Sequence, residues 1–242
     1  MEHRVYNAAR SINSVGCSVE MLYNPAMSSA NVIGEISTQL EALDECVHMV
    51  QTFGDGPTRA SGPHGRVLRD VERVLKAIHA KAAIVGGLAV IHHGYQRYTR
   101  DVDLVIAAAA VPEFLRVATV SGFRVAKKDR YGWHQLIHKE TGMDLYLVPQ
   151  GKPGKRAASE IPSPEQLGVR SGTLGFASLP RLIELKLLAG RLKDLADVVE
   201  LVKSNRSQRT RIREHLARVH PRLAVEFDRL AARAQAESDE ER

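Results

Sequence analysis

The sequence predicts an α+β protein with a small mixed β-sheet, flanking helices and a helical C-terminal portion. Apolar runs at 82–85 and 102–106 have the length of buried strands. Three more strand candidates follow closely, at 123–126, 133–138 and 143–148. Such close spacing favours antiparallel or mixed pairing, because parallel neighbours need a long crossover. After Leu179 the apolar residues recur at helical spacing to the end of the chain.

The residue pattern of the N-terminal part predicts two amphipathic helices joined by a linker. Residues 1–30 show no clear period, and Gly54–Gly65 is dense in Gly and Pro, which is typical of a linker. The first helix is predicted over Val32–Val50 and the second over Arg66–Ala80. Their apolar stripes are expected to pack on neighbours: Ile33, Ile36, Leu40, Leu43, Val47 and Val50 in the first helix, and Val67, Leu68, Val71, Val74, Leu75 and Ile78 in the second.

The remaining elements follow from turn and cap signals. A helix is predicted from Gly86-Gly87 to about His93, and another over Val111–Ser121 with Pro112 in its first turn. A basic loop is predicted at 150–164, and a strand pair around Gly172 at 167–176. The C-terminal helices are predicted over Leu179–Gly190, from about Lys193, over 208–219 and over 221–235.

Composition indicates a cytoplasmic protein without a membrane segment. The chain has 242 residues, 44% of them hydrophobic, and no apolar run approaches the roughly 20 residues that span a bilayer. No secretory signal is visible at the start. Cys17 and Cys46 have neither metal-ligand spacing nor a disulfide pattern.

The net charge of +6, from 34 Lys and Arg against 28 Asp and Glu, attracts polyanions such as nucleic acid or nucleotide phosphates. An ordinary solvated surface explains a surplus of this size equally well. Two basic clusters could guide a polyanion or be solvated loops: Lys127, Lys128 and Arg130, and Lys152, Lys155 and Arg156.

The chemistry is concentrated in residues 83–106. Asp101 and Asp103 lie in a strand and point the same way, so they repel each other unless a cation sits between them. Gly86-Gly87 leaves room for backbone N–H groups to approach a phosphate. Asp144 on another strand could complete a two-cation site.

Some of these residues also fit other interpretations. Gly86-Gly87 alone is more typical of a simple turn, and no G-x-G-x-x-G pattern is present. Consecutive helix positions such as His92-His93 cannot easily share one ion, so one is expected buried and one exposed. His134 and His138 have the i, i+4 spacing of a zinc motif, but their segment has a strand pattern.

The motif resembles the DNA polymerase β-type nucleotidyltransferase superfamily, and within it most closely the AbiEii-type and MenT-like toxin nucleotidyltransferases. The resemblance covers about 66–203 and not the first 60 residues. It rests on these residues: Gly86-Gly87, the segment 97–104 (RYTRDVDL), Asp144, the segment 184–186 (ELK) and the segment 190–197 (GRLKDLAD).

The resemblance implies a nucleotidyltransferase core at 63–176, after a variable segment at 1–62, and a helical C-terminal subdomain at 177–242 that closes over the nucleotide. It implies that Asp101, Asp103 and Asp144 bind two Mg²⁺ ions and act in catalysis, with Asp144 as a metal ligand or base. The nucleotide-binding residues that it implies are Gly86, Gly87, Arg97, Thr99, Lys186, Arg191 and Asp194. Lys186 would reach the β- and γ-phosphates, and Asp194, on one helix face with Asp197, would orient Lys186 or the base.

The activity expected from the resemblance is Mg²⁺-dependent transfer of a nucleoside monophosphate from an NTP to a hydroxyl, with RNA, such as the 3′ end of a tRNA, as acceptor. A toxin role with a cognate antitoxin belongs to the same expectation. Two alternatives stay open. One is a nucleotide-binding or toxin–antitoxin interaction module without turnover, and the other is a small-molecule, antibiotic-type nucleotidyltransferase.

Overall fold

The computed structural model describes residues 29–52, 62–152 and 160–240. Its strands are β1 (Ala82–Val85), β2 (Asp101–Ile106), β3 (Phe123–Lys128), β4 (His134–His138), β5 (Asp144–Pro149) and β6 (Leu174–Phe176). They form one sheet in the order β3-β4-β5-β2-β1-β6. The β1–β6 and β2–β5 pairs are parallel, and the β1–β2, β3–β4 and β4–β5 pairs are antiparallel. The predicted mixed sheet is therefore confirmed.

Helices flank the sheet and make up the C-terminal portion, as predicted. They are α1 (Ser29–Thr52), α2 (Pro63–Ala77), α3 (Gly86–His92), α4 (Val111–Val120), α5 (Pro164–Leu167), α6 (Leu179–Ala189), α7 (Leu192–Ser204), α8 (Arg209–Val219) and α9 (Pro221–Glu240). Among the described helices, none is both long enough and apolar enough to cross a membrane.

The two faces of β2 have different neighbours. Val102, Leu104 and Ile106 are fully buried in the largest apolar cluster, which also contains the buried stripe of α2 and Phe114 of α4. Because side chains alternate along a strand, Asp101 and Asp103 lie on the opposite face, where they are only partly buried. The core thus fixes the direction in which both carboxylates point.

A second apolar cluster holds the C-terminal helices together. It combines buried side chains of α6, α7, α8 and α9, among them Phe227 and Leu230, with Ala89 and Val90 of α3. Since α3 follows β1 directly, this cluster also attaches the helical portion to the sheet.

The predicted strand pair at 167–176 is wrong. A short helix, α5, occupies 164–167 instead, capped by Ser163, whose side chain accepts a hydrogen bond from the Gln166 amide at 3.2 Å. Gly168 then reverses the chain with a φ of 117°. Only β6 is a strand in this stretch, and it pairs with β1 rather than with a local partner.

The N-terminal region also differs from its prediction. The predicted linker at 54–65 falls partly outside the described residues, but its last three residues belong to α2, which begins at Pro63. The predicted buried stripe of α1 is wrong where the structure describes it, since Ile36, Leu40 and Leu43 are 43%, 61% and 45% exposed.

Glu45 explains why α1 turns another face inward. Its carboxylate accepts hydrogen bonds from the backbone N–H of His64 at 2.8 Å and of Gly65 at 3.0 Å, in the first turn of α2. The His64 ring lies 2.9 Å away. Burial alone would raise the pKa of Glu45, but these contacts lower it overall. A carboxylate at a helix N-terminus satisfies amides that have no partner within the helix.

Replacing Glu45 should therefore destabilise the fold. We expect Glu45→Ala to lower the free energy of unfolding by roughly 2 to 4 kcal/mol, because buried amides and the His64 ring lose a charged acceptor. Urea unfolding measures this change. Glu41→Ala is the control, since Glu41 is exposed and pairs only with Arg66 on the described surface. An equal loss in both variants would contradict the capping role.

Candidate active site

The candidate site is a cleft of about 600 Å³ on the open face of the sheet. It lies where β1 ends and where β2 and β5 begin. Asp101 and Asp103 line it, together with Gly86, Gly87 and Thr99. The C-terminal half of α6 and the start of α7 line the facing side. The structure thus brings most of the sequence-predicted site residues into one cavity.

Each glycine of the pair makes room for one side chain of the site. A Cβ on Gly86 would lie 1.9 Å from Asp103 Oδ2, and a Cβ on Gly87 would lie 2.4 Å from Thr99 Oγ1. Gly86 also has a φ of 65°, in the left-handed region that favours glycine. The sequence predicts that these glycines make room for a phosphate. The structure shows that they make room for the side chains of Asp103 and Thr99.

The three candidate acids occupy different positions. Thr99 Oγ1 donates a hydrogen bond to Asp101 Oδ1 at 2.7 Å. Asp101 and Asp144 are direct register partners on the parallel strands β2 and β5. Asp144 accepts a hydrogen bond from Gln135 at 2.8 Å and does not appear among the described residues that line the cleft. In the described ranges, no three His, Cys, Asp or Glu side chains are gathered closely enough to hold a metal ion.

Asp103 is in an unfavourable electrostatic environment for a charged carboxylate. Burial and the like charge of Asp101 raise the pKa of Asp103 from 3.8 to about 6, although Lys186, Lys193 and Arg191 act in the opposite direction. Two carboxylates that repel each other in this way are suited to a hard cation. Mg²⁺ usually takes one or two carboxylates and completes its shell with water and substrate phosphates. The pair of carboxylates therefore fits a Mg²⁺ ion that keeps other ligands in its shell.

Lys186 is placed differently from the mobile phosphate ligand that the resemblance implies. It is 5% exposed, and its Nζ lies 3.1 Å from Asp194 Oδ1 and 2.6 Å from Asp197 Oδ2. Arg191 forms an ion pair with Asp194, and Arg97 forms one with Asp197 at 2.8 Å. We call these five residues the ion network. It joins the segment before β2 to α6 and α7.

Several residues that line the cleft were not singled out for the site from the sequence. Lys193 is exposed at its edge, as is Lys127, which the sequence placed in a basic cluster. Tyr146 is the register partner of Asp103, and burial together with Asp144, Asp101 and Asp103 raises its pKa. Its position two residues after Asp144 on the same strand face was a usable signal. Trp133 precedes β4, and no pattern in the sequence indicated that it lines the cleft.

The histidines do not follow their prediction in one respect. His92 and His93 are both partly buried rather than one buried and one exposed. The His92 ring stacks on Phe176 at 4.1 Å, and His93 lies 2.8 Å from the Ala177 carbonyl. Burial lowers the pKa of His92 to about 4, so it is neutral at pH 7.

No protein-family profile and no curated protein matches the chain. Several solved structures are similar to it. ANT(2″)-Ia in complex with adenylyl-2″-tobramycin has a TM-score of 0.43 and 14% identity, with 69% of this chain and 97% of that one covered. A candidate nucleotidyltransferase of Thermotoga maritima has a TM-score of 0.41 and 19% identity, with 54% and 87% covered.

The lincosamide antibiotic adenylyltransferase LnuA, with bound lincomycin, is similar at a TM-score of 0.35 and 18% identity, with 56% of this chain and 94% of that one covered. Scores and identities of this size describe a loose likeness in shape. They identify neither the reaction nor the substrate of this chain.

The contact between Gly86 and Asp103 can be tested with a matched pair of glycines. Gly86 and Gly142 have similar φ values, 65° and 69°, but no atom lies within 4 Å of a Cβ on Gly142. We expect Gly142→Ala to cost about 1 kcal/mol from the backbone alone, and Gly86→Ala to cost roughly 2 to 5 kcal/mol because Asp103 must also move. Urea unfolding compares them, and equal losses would contradict the close packing.

The raised pKa of Asp103 predicts a pH-dependent effect on stability. An ionised, partly buried carboxylate beside a like charge destabilises the fold. The penalty is therefore fully present at pH 8, decreases as the pH falls through about 6, and is gone near the unfolded pKa. With EDTA present, Asp103→Asn should therefore be more stable than wild type at pH 8, by up to about 3 kcal/mol. The difference should vanish near the unfolded pKa.

Denaturant unfolding across this pH range measures the effect. The control is Asp228→Asn, because Asp228 is exposed and lies 2.9 Å from Arg213. A difference between Asp103→Asn and wild type that does not change with pH would contradict the assigned repulsion.

Proposed function

We propose that the chain is a nucleotidyltransferase that moves a nucleoside monophosphate from an NTP to an acceptor hydroxyl. The observation that carries the proposal is the pair Asp101 and Asp103, held on one face of β2 in a cleft beside the β1–α3 turn. Two mutually repelling carboxylates in an open cavity of about 600 Å³ are suited to a cation-bound triphosphate.

Asp101 and Asp103 are the proposed ligands of Mg²⁺. A bound cation would neutralise the charge that develops on the phosphates and the leaving pyrophosphate. Thr99 fixes the orientation of Asp101 through its hydrogen bond. Asp144, beside Asp101 in the register, stays a proposed ligand of a second ion or a proposed base. Gly86 and Gly87 are proposed to hold the triphosphate.

The proposed phosphate-binding cations are the exposed ones. Lys193 of α7 and Lys127 of β3 line the cleft and are exposed, and the Arg191 side chain is 47% exposed despite its ion pair. Lys186 and Arg97 lie deeper and already neutralise carboxylates. Their proposed role is to hold α6 and α7 against the sheet, so that Arg191 and Lys193 face the bound triphosphate.

The proposed reaction is an in-line nucleotidyl transfer. The acceptor hydroxyl oxygen attacks the α-phosphorus in line, a new P–O bond forms, and the bond between the α-phosphorus and the bridging oxygen breaks. Pyrophosphate takes the bonding electron pair as it leaves. The hydroxyl proton passes to a carboxylate, and the proposed base is Asp144, which neighbours Asp101 in the register although it does not line the cleft.

The proposed acceptor is RNA, such as the 3′ end of a tRNA, with a toxin role and a cognate antitoxin as part of the proposal. It is supported by the segments 97–104 and 190–197 that resemble toxin nucleotidyltransferases, and by the net charge of +6. One observation favours a small cationic acceptor instead. The carboxylates of Asp129 and Glu160 line the cleft and could bind amino groups.

Incubation with labelled NTPs, Mg²⁺ and total RNA tests the proposal. We expect wild type to label RNA and release pyrophosphate, and Asp101→Asn to lose at least about a hundredfold in rate, since removal of one electrostatic stabiliser has an effect of this size. Asp228→Asn should retain activity, because Asp228 is exposed on α9 and pairs with Arg213.

Three results would change the conclusion. No incorporation by wild type into RNA or into small hydroxylated amines, or equal activity in Asp101→Asn, would rule out the proposed reaction. Mg²⁺-dependent NTP binding without pyrophosphate release would indicate a nucleotide-binding module. Labelling of an aminoglycoside rather than RNA would favour the small-molecule acceptor.

A further inference from the structure

A second cavity, of about 440 Å³, lies between the segment after α5, the start of α6 and one face of α8. Its lining contains four arginines, Arg170, Arg181, Arg211 and Arg218, and one histidine, His215, against a single carboxylate, Glu165. None of these residues lines the candidate active site. The cavity is therefore a separate, strongly basic site.

The arginines come from three segments that the fold brings together. Arg211, His215 and Arg218 share one face of α8, since residues four and seven positions apart lie on the same side of a helix. Arg181 is in the first turn of α6, and Arg170 follows α5 by three residues. The charge is thus a product of tertiary structure rather than of one basic run.

A buried carboxylate fixes one side of the cavity. Glu184 is 4% exposed, and its Oε2 lies 2.8 Å from Arg181 and 2.6 Å from His215. By contrast, Arg170, Arg211 and Arg218 are exposed and have no carboxylate partner within the described ranges. Arg218 donates one hydrogen bond from Nε to the Glu214 carbonyl at 3.3 Å, and its other donors remain available for an external anion, as do the guanidinium groups of Arg170 and Arg211.

The chemistry of the cavity selects phosphate groups of a chain. Arginine matches phosphate with two parallel hydrogen bonds, and guanidinium groups on three segments suit several linked phosphates better than one small anion. An acidic protein would also be attracted, but RNA is already the proposed acceptor.

The geometry of α6 connects this cavity with the active site. Pro180 and Arg181, near the start of α6, line the basic cavity. Five later residues of this helix line the catalytic cleft: Leu182, Leu185, Lys186, Leu188 and Ala189. The whole helix is about 16 Å long at 1.5 Å per residue. A small acceptor in the cleft does not extend over that length, whereas an RNA strand does.

We propose that this basic cavity binds backbone phosphates of an RNA acceptor whose 3′ hydroxyl lies in the active-site cleft. The inference rests on the proposed nucleotidyl transfer and defines its acceptor as a polynucleotide. It also assigns a role to a basic surface that lies outside the two clusters noted in the sequence.

Two matched pairs of charge reversals in the full-length protein test the proposal. Arg211→Glu with Arg218→Glu alters the cavity. Arg206→Glu with Arg222→Glu alters two exposed arginines outside it. Each substitution replaces one positive by one negative charge, so both pairs lower the net charge of +6 by the same amount.

Binding is measured by the anisotropy of a fluorescein-labelled single-stranded RNA of about 20 nucleotides, over a range of salt concentrations. We expect the cavity pair to weaken binding at least about tenfold and to reduce the slope of log K against log salt by about 1.4, for two lost phosphate contacts. The control pair should stay within about twofold of wild type.

Nucleotide binding provides the readout that separates this inference from the proposed reaction. Trp133 is the only tryptophan of the chain and lines the cleft, so its fluorescence reports NTP binding there. Mg²⁺-ATP affinity should be unchanged in both pairs, and labelling of RNA should fall only in the cavity pair. Wild type could bind RNA through the cavity but neither bind NTP nor transfer a nucleoside monophosphate. The proposed reaction would then be wrong, whereas the RNA-binding site would still be supported.

Three outcomes would overturn the inference itself. RNA affinity could be unaffected by the cavity pair, or it could fall equally in the control pair, which would indicate an effect of net charge alone. Inorganic phosphate at constant ionic strength could displace the RNA, which would indicate a site for a single anion.

Discussion

The packing of Asp103 against Gly86 is the constraint on which the site depends. No side chain fits at Gly86 unless Asp103 moves, because a Cβ would lie 1.9 Å from the carboxylate oxygen. The β1–α3 turn and β2 are therefore in direct contact, and Thr99 approaches Gly87 in the same way. Since β2 pairs with β5, this contact also sets the position of Asp144 and Tyr146 relative to the turn.

The ion network is the second constraint, and it acts between the sheet and the C-terminal helices. Lys186, Asp194 and Asp197 are each nearly inaccessible to solvent. A buried ion pair contributes little net stability, but the loss of one member is costly because its partner stays charged and unsolvated. The network therefore specifies how α6 and α7 sit on the cleft. In the proposed function, the exposed Arg191 and Lys193 would attract the incoming triphosphate.

Local sequence signals predicted the parts of the structure that depend on local physics. The alternation in β2, the turn at Gly86-Gly87 and the glycine end of α6 at Gly190 each follow from a few adjacent residues. The predicted strands formed within two residues of their bounds, apart from the pair at 167–176. That stretch failed because the partner of β6 is β1, some 90 residues earlier.

Features that depend on distant residues were not predictable in this way. The apolar stripe of α1 predicts a buried face, but this stripe is exposed. Glu45 and Cys46 are buried instead, because the Glu45 carboxylate caps the N-terminus of α2. The burial of Lys186 required knowledge that Asp194 and Asp197 both reach it. The arginines of the second cavity lie on three segments between 170 and 218, so no window of sequence contains them.

The strand β3 lies at one edge of the sheet, and only Phe123 of its six residues is buried. Arg124, Lys127 and Lys128 are exposed along it, and its register with β4 shifts between Val125 and Lys127. An open edge strand invites pairing with another chain, and positive charge together with an irregular register discourages it. Lys127, which also lines the cleft, thus helps to protect this edge from aggregation.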